Sequence, residues 1–498
     1  CQPVGTYDPA LSVGLRNLLR AAHIEEAAER TSLKSVDYVG ETQVEAADAG
    51  LLQYAALQTT RIAEMTAVRS SQFANTAYYM GSKRNLSSFL AETIAGIASD
   101  DAVIVDLMCG SGAASAAFSR RWTTVASDAQ AFCRVLAEVQ GGGYRVTDAE
   151  ETLECLLQRI RDHVKLLRHK VNDFLEWEDR VFHGDMKGVA LGEYQRLIES
   201  YPTYPGAVSG GEWNPRREVE RRQANHACTP FCLFTAYFAN TYFGIRQCVE
   251  IDSIRYAIST LPNETDRRWC LGALIAAVSC IGTTYGGHFA QPPIRGAADI
   301  TERNMRAVVE RRAASVVHEF SIRLVSLARE SGRCANAIET VHGPWQQAID
   351  ECGVRFADHE VLVYVDAPYK REEYSRYYHV LETLVLYNYP SATGVGKVPD
   401  KSKGERFRSE FFQRNRSRIE DAFVELITAI LDRGWKCVWS YSDNGDASIV
   451  RVCNRVLAST NCELSTRSAT YEHKPHGGRR AKSVTEYLLI FTPQSESG

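Results

Sequence analysis

An uninterrupted apolar run, Val-Leu-Val-Tyr-Val at 361–365, stops abruptly at the tetrapeptide Asp366, Ala367, Pro368 and Tyr369. Its β-branched composition and bounding turn predict a fully buried strand of a parallel sheet. Open α/β sheets carry their chemistry at the carboxyl ends of such strands. We therefore take this tetrapeptide as the candidate catalytic site, in which Asp366 and the Ala367 carbonyl are acceptors, Pro368 stiffens the turn and Tyr369 offers a flat ring. An ordinary proline turn after a strand is the alternative, and the rest of the chain must decide.

A second segment predicts a ligand site at the same kind of edge. Residues 103–109 are typical of a buried strand, Gly110-Ser-Gly112 of a tight turn, and 113–120 of the start of a helix. A further strand at 123–126 ends at Ser127-Asp128, roughly 20 residues past the glycines, where an acid can bind ribose hydroxyls. The full dinucleotide glycine pattern is missing. The segment therefore favours a nucleoside ligand without a pyrophosphate, and S-adenosylmethionine is the candidate cofactor.

Composition sets the class of protein. A chain of 498 residues, 45% hydrophobic and 24% charged, predicts an ordinary globular protein of two to four domains. No apolar run approaches the roughly 20 residues of a membrane span, and the amino terminus lacks a signal pattern, so we expect no membrane and a cytoplasmic protein, nucleoid-associated if prokaryotic. His226, Cys228 and Cys232 resemble the beginning of a zinc site, but no matching pair follows, and we expect no metal.

The distribution of basic residues is more informative than the formal net charge of -4. Basic and aromatic residues are concentrated away from the acidic first 70 residues, as expected if one face of the protein binds nucleic acid. A solvated helix face for each arginine run and a satisfied turn for His288 remain as alternatives. The candidate DNA contacts are Arg216, Arg217, Arg221, Arg222, Tyr285, His288, Gln291, Arg408, Arg414, Arg416, Lys474, Arg479, Arg480 and Lys482.

In their order along the chain, these segments resemble the Dam-type, or alpha-class, adenine-specific DNA methyltransferases. The resemblance covers about residues 71–136 and 337–492, and cofactor motifs come before the target-recognition insert and the Asp-Pro-Pro-Tyr element, as in that class. The motifs that carry it are Tyr-Met-Gly-Ser-Lys at 79–83, Asp-Leu-Met-Cys-Gly-Ser-Gly at 106–112, Ser-Asp at 127–128, Tyr-Val-Asp-Ala-Pro-Tyr at 364–369, Tyr-His-Val-Leu-Glu at 378–382, Ser-Tyr-Ser-Asp at 440–443 and Glu-Tyr-Leu at 486–488.

The resemblance implies an α/β fold with a Rossmann-like class I methyltransferase sheet. Residues 1–70 would form an amino-terminal helical extension, 71–140 and 336–498 the two parts of the methyltransferase domain, and 141–335 an inserted target-recognition domain. The catalytic residues would be Asp366, Ala367, Pro368 and Tyr369, with Ala367 in place of the second proline. The cofactor contacts would be Tyr79, Lys83, Asp106, Cys109, Gly110, Gly112, Asp128, Trp345 and Asp366, with Trp345 replacing an acid usual in the class.

The implied activity is methylation of the 6-amino group of adenine in double-stranded DNA, with the base flipped out of the helix. Two other classes stay open: a methyltransferase for an RNA or protein amino group, and a non-catalytic or partner-dependent DNA-binding relative. A fusion to a nuclease lacks support, because neither the first 70 residues nor the insert shows a recognisable nuclease motif. A restriction or defence-system partner is compatible with the resemblance.

Overall fold

The computed structural model describes residues 79, 82–183, 189–206, 212–368, 373–442, 445–473 and 482–494. The chain divides into two compact units, residues 1–71 and 72–498. The predicted amino-terminal extension lies outside the described residues. Within the second unit, the predicted boundaries near 140 and 335 stay a prediction.

The described strands and helices alternate at both ends of the second unit, whereas the middle is helical. The strands are β1 Val103–Asp106, β2 Thr123–Ser127, β3 Ile338–Val341, β4 Val361–Val365, β5 Ala392–Thr393, β6 Val398–Pro399, β7 Lys436–Ser442, β8 Cys462–His473 and β9 Lys482–Pro493. The α-helices are α1 Ser87–Ala95, α2 Ala113–Phe118, α3 Ala131–Glu138, α4 Val146–His183, α5 Val189–Ser200, α6 Pro215–Ala224, α7 Leu233–Tyr237, α8 Ile245–Ser259, α9 Glu264–Ile281, α10 Glu302–Ala313, α11 Val316–Ser331, α12 Trp345–Arg355, α13 Tyr374–Tyr377, α14 His379–Leu386, α15 Arg416–Leu431 and α16 Ile449–Ser459. Short 3-10 turns cover Lys83–Leu86, Ala297–Asp299 and Lys401–Lys403.

Seven strands form one sheet in the order β3-β2-β1-β4-β7-β9-β8. The first five of these are parallel, and β9 runs antiparallel to both β7 and β8. The chain leaves β1 for β2 and β3 on one side and returns to β4 on the other. The topological switch point, where ligands of open α/β sheets bind, therefore lies between β1 and β4. The mixed α/β architecture fits the predicted Rossmann-like fold.

Both faces of the sheet are covered because the central strands are apolar on both sides. Val103 and Val105 of β1 and Val363 of β4 belong to one buried cluster with side chains of α12 and α15. Ile104 and Leu362, which point the other way, belong to a second cluster with side chains of α1 and α2. The alternation fixes the strand register, since a slip of one residue would exchange the two faces. This register also fixes where Asp106 and the turn after β4 lie relative to each other at the carboxyl edge of the sheet.

Helices α3 to α11 lie between β2 and β3, and no described strand falls between Ser127 and Ile338. Helix α9 packs on α3, and Gly272 permits the close approach: a Cβ there would stand 2.6 Å from Val139. The segment from Tyr374 to Leu386 forms two helices, α13 and α14, which are interrupted at Tyr378. None of the helices in the described ranges has both the length and the apolar character that crossing a bilayer requires.

Candidate functional site

The carboxyl ends of β1 and β4 bring the two predicted segments together. Residues Asp106 and Tyr364 are register partners at the ends of these strands, so the glycine turn after β1 and the Asp366 turn after β4 start side by side. Asp366 is partly exposed, Ala367 is buried and Pro368 is half-buried. Tyr369 lies outside the described residues. The candidate site therefore forms at the switch point of the sheet.

The glycines of the turn after β1 are required by its geometry. Gly110 and Gly112 have φ of 50° and 75°, a left-handed conformation that glycine adopts without steric cost. At Gly112 a Cβ would also approach the Cα of Ala137 in α3 to 2.5 Å. The Gly110 N–H donates to Oδ2 of Asp128 at 3.0 Å. The turn and the acid after β2 thus form one unit, in which the second oxygen of Asp128 accepts the N–H of Gln130 at 2.9 Å.

Asp106 is fully buried at the end of β1. Its Oδ2 accepts a hydrogen bond of 2.5 Å from Ser115 Oγ, while its Oδ1 bonds to no described residue. The Oγ of Ser127, at the end of β2, is likewise buried without a described partner. Burial raises the pKa of Asp106 to about 7 despite the hydrogen bond from Ser115. The edge therefore holds buried hydrogen-bonding capacity that no described residue uses.

Lys83 is the electrostatic centre of the site. Its Nζ lies 2.9 Å from Oδ1 of Asp366 and 3.4 Å from Oε1 of Glu486 in β9, and its side chain is 6% exposed. Ser440 Oγ of β7 donates to the same Glu486 oxygen at 2.5 Å. Burial acts to lower the pKa of Lys83, but the two carboxylates outweigh it and the pKa is raised. Lys83 therefore stays charged and ties the segment before β1 to β4 and β9.

Tyr79 closes the site with an aromatic cluster. Its ring stacks on Tyr378 at 4.9 Å and 11°, and on Tyr374 at 5.7 Å and 28°. It also lies against the glycine turn, where a Cβ on Gly110 would meet the ring at 2.8 Å. Burial raises the pKa of the Tyr79 phenol, so the hydroxyl stays protonated. Flat aromatic surface thus covers the turn from the side of α13 and α14.

Glu382 of α14 connects the segment that carries the aromatic cluster to the start of α3. Its two carboxylate oxygens accept the N–H groups of Ala131 and Phe132, each at 3.1 Å, at the start of α3. Unpaired N–H groups at a helix amino terminus favour such a negative partner. Burial raises the pKa of Glu382. Its role as a helix cap across 251 residues of chain has no local sequence signal, although its motif was part of the resemblance.

Two further predicted cofactor contacts lie close to the sheet edge. The Cys109 N–H donates to the Ser127 carbonyl at 2.9 Å, and burial raises the pKa of the Cys109 thiol far above its usual value. Cys109 therefore serves the turn as backbone and as a neutral side chain. Trp345 begins α12, is 8% exposed, and donates its indole N–H to Glu410. Much of its ring is buried in the hydrophobic core, and its contact with a cofactor stays a prediction.

The arginines of α6 divide into exposed and internal ones. Arg216 and Arg217 are exposed, whereas Arg221 donates to the carbonyls of Thr229 and Pro230. Arg222 is 1% exposed. Its Nε donates to the Tyr389 hydroxyl at 3.2 Å, and its guanidinium lies 4.0 Å from the centre of the Phe231 ring. A direct DNA contact by Arg222 does not fit this burial, and we correct its assignment to a structural one.

The predicted loop of the insert forms a tight hairpin beside α13. Gly286 and Gly287 have φ of 62° and 80°, which suits a primed turn between the bridged residues Tyr285 and His288. Tyr285, at the base of this hairpin, is 57% exposed. The His288 ring meets Tyr377 edge-on at 4.7 Å. The loop thus presents Tyr285 next to the segment that follows Asp366, and Gln291 is exposed nearby in sequence.

The remaining predicted DNA contacts are partly described. Arg408, Arg414 and Arg416 are exposed before and at the start of α15. Lys482 begins β9, and nothing is described of its side chain. Lys474, Arg479 and Arg480 lie outside the described residues. In the described part of the chain, no three His, Cys, Asp or Glu side chains gather as metal ligands.

One comparison with known proteins bears on this site. No protein-family model matches the chain. The chain is similar to the Type II methyltransferase M.FokI of Planomicrobium okeanokoites, with 22% identity over 325 residues. The match covers 64% of this chain and 38% of that protein's length. The similarity supports a distant relation to a methyltransferase, and it does not distinguish the Dam-type class from others.

Proposed function

We propose that the chain is an S-adenosylmethionine-dependent DNA methyltransferase of the Dam type, which methylates the 6-amino group of a flipped-out adenine. One observation carries the proposal: the switch point of the sheet sets the glycine turn after β1 next to the Asp366 turn after β4. A nucleoside site and an amino-group site then share one edge. The distant relation to a Type II methyltransferase supports DNA methylation in general.

The residues at the carboxyl edge fit this cofactor. The positive-φ glycines leave the backbone open to a ligand, and Asp106 and Ser127 keep buried oxygens without described partners. Such oxygens suit the ammonium and hydroxyl groups of S-adenosylmethionine. Bound there, the cofactor would supply an electrophilic sulfonium methyl group. Tyr79, Lys83, Cys109 and Asp128 would complete the pocket, with Trp345 at its edge.

The acceptors after β4 suit an adenine amino group. The lone pair of that nitrogen is delocalised into the ring, so the amine is a poor nucleophile until acceptors hold both of its hydrogens. A carboxylate oxygen of Asp366 and the carbonyl of Ala367 would do so, and Ala367 retains that carbonyl although it is not proline. Lys83 favours the ionised, accepting form of Asp366. Pro368 orients the turn, and Tyr369 would stack on the extruded base, whose flipping costs a few kcal/mol.

Exposed cations and aromatic side chains around this edge would hold the duplex. Arg216, Arg217, Arg408, Arg414 and Arg416 would contact phosphates, with Lys474, Arg479, Arg480 and Lys482 in the proposed surface from sequence alone. Tyr285, His288 and Gln291 would lie against the flanking DNA. A Type II relative suggests a restriction-modification setting, with a restriction enzyme as partner.

Transfer of a labelled methyl group to unmethylated genomic DNA tests the proposal, with sequencing of the product for modified adenines. Asp366→Asn keeps the shape of the side chain but removes an acceptor oxygen and should lower the rate by at least about 100-fold. Asp358→Asn is the matched control, because Asp358 is exposed in the turn that precedes the amino end of the same strand and should leave the rate unchanged.

The possible results separate the competing functions. Modified adenine at a recurring sequence, lost only in Asp366→Asn, supports the proposal and reveals the target. Label on cytosine, RNA or protein would show a different substrate. Cofactor binding without any transfer would favour a partner-dependent enzyme, and absence of cofactor binding a DNA-binding relative; either would refute the proposal as stated.

A further inference from the structure

A cavity of about 520 Å³ opens beside the Asp366 turn, on the side of Pro368. Its volume lies in the range of sites that enclose a small organic ligand. Pro368 contributes to its wall, and Asp366 does not. The other lining residues come from the start of α13 and from the segment before α15: Glu373, Tyr374, Ser375, Lys401, Phe407, Arg408, Ser409, Glu410, Phe412, Gln413 and Arg414. The cavity thus adjoins the amino-group site at Pro368, and its other described lining residues lie outside the catalytic tetrapeptide.

The two carboxylates of the cavity are already engaged by the protein. Glu373 accepts a hydrogen bond of 2.7 Å from Lys401 Nζ and lies 3.4 Å from Arg406. Burial would raise the pKa of Glu373, but these cations outweigh it and the pKa is lowered. Glu410 accepts the indole N–H of Trp345. Glu373 therefore requires no cation from a ligand, and Glu410 already has a hydrogen-bond donor.

The arginines of the cavity have capacity to spare. Arg408 is exposed, and it donates one hydrogen bond, from Nη2 to the Lys401 carbonyl at 3.0 Å. Arg414 is exposed and forms no ion pair with a described residue. A guanidinium carries five N–H donors in a fork that matches a phosphate. The cavity is therefore ready for an anion with several acceptor oxygens.

Aromatic side chains accompany these arginines. Phe407 is 45% exposed, which is unusual for phenylalanine and places its ring at the surface of the cavity. Phe412 and Tyr374 form other parts of the wall. A positively charged groove with an exposed ring is the arrangement that binds a nucleotide by stacking and phosphate contact together. An inorganic anion would not use the ring, and an apolar ligand would not use the arginines.

We propose that this cavity binds one nucleotide that flanks the target base, with its phosphate on Arg408 and Arg414 and its base against Phe407. The inference rests on the proposed function, because Pro368 joins the cavity to the site that would receive the target adenine. The site then holds two neighbouring positions of one strand. That arrangement would keep the strand distorted while the target base is out of the helix.

The test uses short duplexes that contain the methylated sequence found by sequencing. Each duplex carries one abasic nucleotide or one uncharged methylphosphonate linkage at a single flanking position. Binding is measured for the wild type, Phe407→Ala and Arg414→Ala. Arg418→Ala is the matched control, since Arg418 is exposed four residues further on but does not line the cavity. Thermal unfolding of each variant checks that it folds.

We expect one abasic position to weaken binding of the wild type by about tenfold. The same lesion should have no further effect on Phe407→Ala, because the stacking partner is already gone. One methylphosphonate should likewise weaken the wild type and Arg418→Ala by several-fold but leave Arg414→Ala unchanged. Such non-additive losses identify the nucleotide and the two side chains that hold it.

Several outcomes would overturn the inference. A wild type that methylates DNA but is insensitive at every flanking position refutes it and leaves the proposed function intact, as does equal sensitivity in the wild type and both cavity variants. Tighter binding of a matched RNA or an acidic peptide than of DNA, lost in the cavity variants, assigns the cavity to another partner. Absence of both methyl transfer and DNA binding refutes the proposed function itself, and the inference with it.

Discussion

The charge of Lys83 gives a stability prediction that does not depend on the proposed activity. Lys83→Met keeps the apolar stem but removes the ammonium group that Asp366 and Glu486 share. The two contacts, at 2.9 and 3.4 Å, are each worth roughly 5 kcal/mol of attraction at an effective dielectric constant of about 20. Desolvation of a buried ammonium group cancels several kcal/mol of this sum. We therefore expect the free energy of unfolding to fall by about 3–5 kcal/mol, the usual cost of leaving a buried ion unpaired.

Chemical denaturation near neutral pH measures this loss, with Lys436→Met as the matched control. Lys436 pairs with Glu360 at 2.6 Å, a shorter distance, but the two side chains are 27% and 32% exposed. Solvent screens such a pair, so we expect that control to lose at most about 1 kcal/mol. Distance alone would make the Lys436–Glu360 pair stronger than either single contact of Lys83.

Equal losses in Lys83→Met and Lys436→Met, or wild-type stability of Lys83→Met, would refute the reasoning that burial decides the value of these ion pairs. A second variant, Lys83→Met with Glu486→Gln, provides a check on the cause. If the loss of the ammonium contact at Glu486 is part of the cost, the double variant is more stable than the sum of the single losses predicts.

Three further predictions follow from the geometry of single residues. Because burial raises the pKa of Asp106 from 3.8 to about 7, the folded protein holds a proton that the unfolded chain releases. The free energy of unfolding should therefore decline by at most about 4 kcal/mol as pH rises from about 4 to 7. Asp106→Asn should flatten this decline in denaturation curves taken across that range. Gly112→Ala should destabilise the protein more than Gly404→Ala in thermal melts, since both have φ of 75° but a Cβ meets backbone at 2.5 Å only at Gly112; similar melting temperatures would contradict the packing argument. Arg222→Ala should lower the free energy of unfolding by about 2 kcal/mol or more, whereas exposed Arg217→Ala should leave it within about 0.5 kcal/mol of the wild type and weaken only DNA binding, and a stable Arg222→Ala protein would argue against the buried role.

Local signals in the sequence suffice for the parallel core and its glycine turn. The runs at 103–105 and 361–365 are apolar on every residue, which favours strands that are covered on both faces, and the structure confirms both strands. The Gly-Ser-Gly turn is also a local feature, since glycine adopts its left-handed φ values at little steric cost and most other residues do not. Each of these elements is determined by its own residues and their immediate neighbours.

Contacts between distant segments have no such signal. Strands β8 and β9 pair antiparallel. The sequence does not tell that β9, the second of the two, inserts between β7 and β8. That insertion is what brings Glu486 beside Ser440 and into contact with Lys83. The ion cluster at the candidate site therefore depends on the strand order, which local periodicity leaves undetermined.

The assignment of Arg222 to the DNA contacts is an error that the sequence itself could have prevented. In α6 the buried positions are Pro215, Glu218, Val219 and Arg222, which is the i, i+3, i+4, i+7 stripe of a helix face. Counting arginines treats Arg221 and Arg222 alike, whereas helical periodicity places Arg222 on the same face as Val219. A buried guanidinium also needs partners, and the aromatic residues of 231–243 and 387–389 are candidates for them. A run of arginines in a helix is thus informative about nucleic-acid binding only after the residues that helical periodicity assigns to the buried face are set aside. For α6 this leaves Arg216 and Arg217 as the exposed pair to test.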